Sequence, residues 1–374
     1  MKLAIYQPRA SYFVGGGEVV SLQEARFLAL AGHQVTLITT RASFIKPSEY
    51  FSHFVKNNPK VKVEYITLPI ELRWIYLEVP GQRWIRWDYE SLYVGRLAFV
   101  YFLKNKFDLL LVHNYLDSIA VPPDQKSILY LHGYPPMSNY LHELLSVIPS
   151  IFIADSLLIK EKWQNLVNLT GIRVATNGID TLFFQPQPKK KFKYDVLYLG
   201  RLIKTKGVTY LIEAMAELRT LPDLRLAIAG CGPELNNLKS LADKLGVKKR
   251  ISFLGYIKDQ ALPKLYNSSA ICVFPSYDRE GILTTMLEAA ACGRPIITTS
   301  ACSMSEFLRD DYNGLLVKPK SSSAIAQAIK KLYRQPVVAA KLGRQARKSI
   351  EQQWSWEKKI KKMEKIYAQV ISRH

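Results

Sequence analysis

The segment 274–295, which reads FPSYDREGILTTMLEAAACGRP, constrains the fold of this chain more than any other. A short apolar run at residues 270–274 predicts a strand that ends at Pro275. Good helix formers over Leu283–Cys292 predict a helix, which Gly293 ends. The segment is therefore expected to form the strand, loop and helix of an α/β fold.

Two carboxylates occupy fixed places in this segment. Glu280 precedes the predicted helix and Glu288 lies inside it, with seven residues between them. Burying an unpartnered carboxylate is costly, and a helix N-terminus favours anions. One economical arrangement places a phosphate at the helix N-terminus and hydroxyl-rich groups against the two carboxylates, as a sugar nucleotide would allow. Taken alone, the spacing favours a buried helix whose single glutamate has a local partner, but the companion motifs favour a ligand site.

The N-terminal residues show a second motif. An apolar strand at 3–6 is followed by the loop Gly15-Gly16-Gly17-Glu18, a helix predicted over Val19–Ala31, and the buried strand VTLIT. This order is typical of the opening unit of a doubly wound sheet. Glycines in such a loop allow the backbone to approach a phosphate, although a tight turn without a ligand explains them equally well.

A third motif combines two cations with a helix start. The strand predicted at 194–199 leads to Arg201 and Lys206, and a helix is predicted from Gly207. Two cations beside a helix N-terminus suit a diphosphate, whose charge must be neutralised as it leaves. As an isolated pair they would be better explained as surface cations. Together with Glu280 and Glu288 downstream, they predict a site for a phosphorylated ligand.

These motifs resemble those of the GT4 family of retaining glycosyltransferases, which have the GT-B fold. The resemblance rests on five features: Gly-Gly-x-Glu starting at Gly15, the strand-end His132 of LYLHGYP, Asn-Gly-Ile-Asp at 177–180, Gly-Arg-x4-Lys-Gly around Arg201, and the Glu280/Glu288 pair. They occur in the family's order along nearly the whole chain. The resemblance implies an α/β fold of two doubly wound Rossmann-like domains facing across a cleft, with the last helix crossing back to the first domain.

The resemblance also implies roles for single residues. It assigns catalytic roles to His132, Glu280, Arg201 and Lys206: the histidine lies by the reactive carbon of the donor sugar, Glu280 lies against that sugar, and the two cations grip its diphosphate. Glu288 would hold the ribose hydroxyls. Contacts with the donor nucleotide sugar are expected from Gly15, Gly16, Arg201, Lys206, Gly230, Gly232, Tyr256, Ile257, Glu280, Gly281, Ile282, Leu283, Thr284 and Glu288.

One departure from the family pattern affects the phosphate. The family has a second glycine two residues after the first, where this chain has Leu283. A contact made through the backbone N–H of Leu283 or Thr284 survives this change. A contact that requires the close approach of a glycine does not.

Two domains are expected from the 374 residues. We predict an acceptor-side domain over residues 1–185, completed by a C-terminal helix at 355–374. A nucleotide-sugar domain is predicted over 186–354. The Pro- and Lys-rich stretch 186–193 reads PQPKKKFK and is interpreted as the linker.

The charge of the chain suggests anionic partners. Its formal net charge is +21, and residues 184–374 carry +18 of it. Trp74, Trp84 and Trp87 alternate with arginines in the segment 68–88, a composition that suits a membrane interface or a glycan-stacking surface. Five lysines of the last helix extend the basic character: Lys358, Lys359, Lys361, Lys362 and Lys365. Ordinary core tryptophans and a solvated basic surface are the simpler alternatives.

Other features suggest the compartment. The chain has no apolar run of membrane-spanning length and no signal-peptide pattern at its start. Its four cysteines lack the paired spacing of a metal site and are interpreted as reduced thiols. The expected location is the cytoplasm, where an anionic inner membrane surface is one candidate partner.

The implied reaction moves a hexosyl group from a nucleotide-diphosphate sugar to a hydroxyl, with retention of the anomeric configuration. The acceptor would be a glycan or a lipid-linked acceptor, in the synthesis of cell-envelope polysaccharide, lipopolysaccharide or glycolipid. No Asp-x-Asp sequence occurs, so transfer is expected to need neither a metal nor another cofactor. The alternatives are a sugar-nucleotide epimerase and a non-catalytic scaffold of the same fold. Nucleic acid is not an expected partner, because no reading motif accompanies the charge.

Overall fold

The computed structural model describes residues 1–76, 83–135, 150–167, 169–188, 191–278 and 280–372. The chain forms two compact units. The first comprises Met1–Asn177 with Lys359–His374, and the second comprises Gly178–Lys358. The division follows Asn177 rather than residue 185, so the stretch 186–193 belongs to the second unit; its residues 189 and 190 lie outside the described ranges.

The first unit is built on a parallel sheet. Its strands are β1 (Lys2–Tyr6), β2 (Gln34–Arg41), β3 (Val61–Thr67), β4 (Leu109–Val112), β5 (Ser127–Leu131), β6 (Ser150–Ala154) and β7 (Arg173–Val174). They lie in the order β3-β2-β1-β4-β5-β6-β7. The helices described between them are α1 (Gly16–Leu30), α2 (Glu49–Asn57), α3 (Arg83–Lys104) and α4 (Leu157–Val167).

The central strands of this sheet are apolar because both of their faces are covered. Every residue of β4 and β5 is buried, as expected for a parallel sheet between helices. Helix α1 begins at Gly16, three residues before the predicted start at Val19. Gly16 is therefore the first residue of α1, and Gly15 is the extended residue that immediately precedes it.

A buried arginine holds the loop that follows β1. The Arg9 guanidinium lies 2.8 Å from Asp117, 3.6 Å from Glu18 and 3.8 Å from Glu90, all through their carboxylate oxygens. Burial raises the pKa of Asp117 and of Glu90, and the nearby guanidinium opposes that rise. The ring of Trp87 lies 5.8 Å from the guanidinium carbon. This cluster ties the loop that leads to Gly15 to helix α3.

The second unit contains a second parallel sheet. Its strands are β8 (Tyr194–Leu199), β9 (Leu226–Ala229), β10 (Ile251–Gly255), β11 (Ser269–Phe274), β12 (Ile296–Thr299) and β13 (Leu315–Val317), in the order β10-β9-β8-β11-β12-β13. Its helices are α5 (Val208–Glu217), α6 (Leu235–Lys244), α7 (Leu262–Asn267), α8 (Thr284–Ala291), α9 (Met304–Phe307), α10 (Ser322–Arg334) and α11 (Pro336–Ser349). The prediction of an α/β fold with two doubly wound sheets is confirmed.

Two glycines allow the loops at the carboxyl ends of these strands to pack closely. Gly207 has a φ of 69°, and a Cβ there would lie 2.1 Å from the carbonyl oxygen of Pro275. Gly230 has a φ of 128°, and a Cβ there would lie 1.9 Å from the carbonyl oxygen of Gly200. Any side chain would force these loops apart, so glycine is required at both positions for packing alone.

The last helix, α12 (Trp356–Ile371), starts in the second unit and belongs to the first from Lys359 onward. It therefore crosses back, as predicted. Lys362 Nζ donates a 2.8 Å hydrogen bond to the Val174 carbonyl. The hypothesis of five surface lysines is wrong for Lys359, which is buried because it faces Glu24 inside the first unit. No helix within the described ranges is long and apolar enough to cross a membrane.

Candidate functional site

An ion pair joins two of the predicted site residues in the second unit. Lys206 follows β8 on one loop, Glu280 follows β11 on another, and β8 and β11 are neighbours in the sheet. Lys206 Nζ lies 2.9 Å from Glu280 Oε1. Lys206 is 7% exposed, and burial lowers its pKa against the opposing effect of Glu280. The order of the strands thus brings together two residues that are far apart in sequence.

Arg201 lies on the same loop as Lys206 but is exposed. Its carbonyl accepts a 2.9 Å hydrogen bond from the Tyr198 hydroxyl, which fixes the turn at the end of β8. The guanidinium contributes to lowering the pKa of Lys206, so the two positive charges influence each other. One predicted cation is therefore buried and paired, whereas the other faces solvent.

Glu288 has a partner of a different kind. Its Oε2 accepts a 2.7 Å hydrogen bond from the Tyr266 hydroxyl, and its side chain is partly buried. The apolar surroundings raise the pKa of Glu288 to about 8, although the tyrosine opposes this shift. The two glutamates therefore have different partners, since Glu280 lies against an ammonium and Glu288 against a neutral hydroxyl.

The residues between the glutamates form the N-terminus of α8. Gly281, Ile282 and Thr284 are partly buried, and Leu283 is buried as the residue that precedes the helix. Among the described residues, no side chain caps this helix by a hydrogen bond. Its first N–H groups retain the arrangement that favours an anion. Arg279, just before Glu280, lies outside the described residues.

The remaining predicted residues of the second unit lie on neighbouring turns. Gly230 and Gly232 occupy the turn between β9 and α6, where the N–H of Leu202 donates 2.8 Å to the Cys231 carbonyl. Tyr256 and Ile257 follow β10, and Tyr256 is 62% exposed. These turns all follow the carboxyl ends of parallel strands, where open α/β sheets bind ligands.

One residue near the ion pair carried no sequence signal. Cys302 interacts with the backbone N–H of Glu280, and burial raises the pKa of its thiol. It also has a φ of 60°, which is unusual for a residue other than glycine. No motif of the sequence analysis includes Cys302, so its contact with Glu280 could not be predicted.

In the first unit, His132 directly follows β5, as predicted. Its Nε2 lies 3.0 Å from Nδ1 of His113, and its Nδ1 lies 3.8 Å from Asp155. These three residues lie at the carboxyl ends of the neighbouring strands β4, β5 and β6. His113 and Asp155 were not predicted as site residues, although their shared position at strand ends was a usable signal.

The other two predicted residues of the first unit start helix α1. Gly15 has extended backbone, and a Cβ there would lie 2.6 Å from Glu18 Oε2. A Cβ at Gly16 would meet nothing within 4 Å. Space beside Gly16 is therefore open on this side of the first unit.

The tryptophan segment is divided between two environments. Trp74 is 48% exposed, whereas Trp87 is partly buried against Phe13 and Arg9. The side chain of Trp84 lies outside the described residues, as do residues 77–82. Within the described part of the chain, no group of three or more histidine, cysteine, aspartate or glutamate side chains has the arrangement of a metal site.

Comparisons with known proteins identify relatives of the second unit in sequence and of the whole chain in fold. The family model described as glycosyl transferases group 1 matches residues 180–349, which include the Lys206–Glu280 pair. An uncharacterized glycosyltransferase of Methanocaldococcus jannaschii is 32% identical over 173 residues, which are 46% of this chain and 44% of that protein. A GDP-mannose-dependent phosphatidylinositol monomannoside mannosyltransferase of Mycolicibacterium smegmatis is 32% identical over 196 residues, 48% of this chain and 51% of that protein.

The chain spans about half the length of the first curated relatives that it matches. Among solved structures, the HepE protein of Anabaena in complex with UDP has a TM-score of 0.76 and 18% identity, and covers 99% of this chain and 100% of its own. This similarity concerns the fold and includes both sheets. Residues 180–349 therefore form a domain of the glycosyltransferase group 1 family, and the chain has the GT-B fold of its structural neighbours.

Proposed function

We propose that this chain transfers a hexosyl group from a nucleotide-diphosphate sugar to a hydroxyl of a glycan or lipid-linked acceptor, with retention at the anomeric carbon. The observation that carries the proposal is the buried Lys206–Glu280 pair within the group 1 domain. A buried ion pair is seldom kept for stability alone, because desolvation offsets most of its attraction. The GDP-mannose dependence named for the mycobacterial relative supports a nucleotide sugar as donor.

Each group has a task in this reaction. Lys206, the exposed Arg201 and the start of α8 stabilise the diphosphate as it leaves. Glu280 stabilises the positive charge that develops on the sugar ring. When the anionic diphosphate binds, it shares Lys206 with Glu280, so the ammonium stays neutralised throughout. The acceptor hydroxyl attacks on the side of the leaving group and gives its proton to the departing phosphate. His132 contacts the donor sugar.

The ion pair supplies the first prediction. Lys206→Ala and Glu280→Gln should each lower kcat/KM by about 100-fold or more, because each removes a charge that the transition state uses. Lys204→Ala is the matched control, since Lys204 is an exposed lysine of the same loop. Activity is measured with the donor that stabilises the protein most. Near-normal turnover in both variants would refute the site.

Glu288 supplies a prediction about pH. We propose that its carboxylate accepts hydrogen bonds from the ribose hydroxyls, which an ionised group does more strongly. Because its pKa is about 8, it becomes ionised as pH rises from 7 to 9. Donor affinity should therefore increase over this window. Any loss of charge at Lys206 would act in the opposite direction and lower the affinity. Titration calorimetry measures the donor affinity at each pH.

Glu288→Gln isolates the effect. The variant should lose the rise in affinity between pH 7 and 9 while keeping any decline due to Lys206. An identical pH dependence in wild type and variant would show that Glu288 does not hold the ribose.

Metal independence is the third prediction. Two cations serve the diphosphate, so transfer should continue at an unchanged rate after dialysis against EDTA. The rate is compared before dialysis, after it, and after addition of Mg²⁺ or Mn²⁺. Loss of activity with EDTA that Mn²⁺ restores would contradict the proposal.

An exposed face of the first unit, the expected acceptor-side domain, suggests that the protein binds an anionic membrane surface. One face of α3 exposes apolar side chains spaced by three or four residues, and Trp74 packs its ring against two of them. The face consists of Tyr89, Leu92, Tyr93, Leu97, Val100 and Leu103. Arg73, Arg96 and Lys104 are exposed around it. Aromatic, aliphatic and basic side chains on one face are typical of surfaces that lie in a lipid headgroup region.

The exposed face supplies the fourth prediction. The double variant Leu97→Ser/Val100→Ser should bind vesicles of phosphatidylcholine and phosphatidylglycerol about tenfold more weakly, because less apolar surface enters the bilayer. The control is Leu182→Ser/Val337→Ser, which changes two exposed apolar residues of the second unit. Sedimentation with vesicles measures both. Equal binding by all three proteins, or a change only in oligomeric state, would contradict a membrane role for α3.

A further inference from the structure

A line of buried side chains continues inward from His132 in the first unit. His132 Nε2 contacts His113 Nδ1 at 3.0 Å, and His113 Nε2 contacts Glu24 Oε2 at 3.0 Å. The two imidazoles are nearly parallel, with 10° between their planes, and Tyr130 stacks within 5° of each. His113 is 3% exposed and Glu24 is fully buried. The line therefore runs from a partly exposed histidine to a carboxylate in the core.

Glu24 is ionised in this position. Burial alone would raise its pKa, but Lys359, His113 and Tyr130 together lower the pKa of Glu24 to about 2. Lys359 Nζ lies 3.8 Å from Glu24 Oε1. The same oxygen accepts hydrogen bonds from the hydroxyls of Tyr130 at 2.6 Å and Tyr367 at 3.2 Å. A fixed negative charge thus stands at the inner end of the line.

The charge of Glu24 determines where the ring protons lie. Burial lowers the pKa of His113 to about 4, so this imidazole is neutral and carries one proton. Oε2 of the ionised Glu24 lies 3.0 Å from Nε2 and would repel a lone pair there, so we place the proton of His113 on Nε2. Nδ1 of His113 is then an acceptor. Its neighbour, Nε2 of His132, must donate.

We propose that Glu24 and His113 are positioning residues that hold His132 with its proton on Nε2. The Nε2–H of His132 then donates to His113. Nδ1 is the ring nitrogen that faces Asp155 and can interact with a ligand. Asp155 lies 3.8 Å from Nδ1, and Glu18 is a further charged group near the ring. The link to catalysis rests on the proposed contact between His132 and the donor sugar.

Lys359 and Tyr367 make the last helix part of this arrangement. Both lie on α12 and both face Glu24 Oε1. Docking of α12 therefore holds the carboxylate that orders the two histidines. The buried lysine of this helix thereby has a function, which is to hold the charge of Glu24 in place.

The test uses substitution of Glu24 by its neutral isostere. In Glu24→Gln, the amide oxygen should remain beside Lys359 and the tyrosine hydroxyls, because an amide NH2 there would face other donors. The NH2 group then faces His113 Nε2 and requires a lone pair on it. The proton moves to Nδ1 of His113, and the proton of His132 must move from Nε2 to Nδ1. Both tautomers should reverse.

The measurement is the ¹⁵N and ¹H NMR pattern of histidine-labelled protein, which distinguishes the tautomers. The chain has six histidines, so assignment needs only a few single substitutions. Wild type should show His113 and His132 both protonated on Nε2. Glu24→Gln should show both protonated on Nδ1, with kcat about tenfold lower and donor KM nearly unchanged.

Two controls accompany the variant. Glu24→Asp keeps the charge and should keep the wild-type tautomers and restore most of kcat. Tyr367→Phe removes one hydrogen-bond donor to Glu24 without changing the charge of Glu24, and should also keep the wild-type tautomers. A wild-type spectrum with His132 protonated on Nδ1 would overturn the proposal, even if no variant folds. So would unchanged tautomers, or an unchanged kcat, in folded Glu24→Gln.

The spectra also separate this inference from the proposed reaction. The tautomers are observed without substrate, so the arrangement of Glu24, His113 and His132 is tested even if the protein transfers no sugar. Reversed tautomers in a protein that lacks transferase activity would refute the proposed function and leave the arrangement of Glu24, His113 and His132 intact.

Discussion

The Lys206 ammonium is buried in the second unit, and the loops around it are arranged to keep its charge neutralised. Removing one partner of such a pair leaves an uncompensated buried charge and costs about 3–5 kcal/mol. Glu280 meets this requirement only because β8 and β11 are adjacent and their loops emerge at the same edge. Gly207 contributes by allowing the start of α5 to approach Pro275. The geometry of the pair is therefore a consequence of the sheet order.

The first unit meets a similar requirement by another means. Glu24 is buried with Lys359 on one side and His113 on the other. Here the charge lies deep in the core, and His113 connects it to His132 at the strand end. Both units thus place a charged pair behind the carboxyl ends of parallel strands. In the second unit the pair itself is the candidate site, whereas in the first it orients the candidate residue His132.

The local elements could be predicted from the sequence because their signals are local. Apolar runs of strand length, glycine punctuation and helix formers gave the strand at 269–274 and the helix that starts at Thr284 within one residue. The predicted start of α1 was less accurate. Gly16 opens that helix despite its low propensity, because its N-terminal turn tolerates glycine.

Contacts between distant segments could not be predicted in the same way. Lys359 lies three residues after Trp356 and four before Met363, on the apolar face of α12, so the pattern of the helix indicates an inward side chain but not its partner Glu24. Nor does the sequence indicate that Cys302 contacts Glu280. Family resemblance supplied the expected roles of Lys206 and Glu280, and the structure added that they pair with each other. The contrast between Glu280 and Glu288 required knowledge of Tyr266.

The most direct test of the central claim is thermal unfolding of the protein with UDP, GDP and ADP and their hexose conjugates, for wild type and Lys206→Ala. A ligand at about 100 times its Kd should add about 2.7 kcal/mol to the free energy of unfolding. The account predicts that one nucleotide raises the Tm of the wild type, with or without EDTA, and that Lys206→Ala loses most of this rise. No shift with any nucleotide in folded wild-type protein would contradict it, as would an equal shift in the variant.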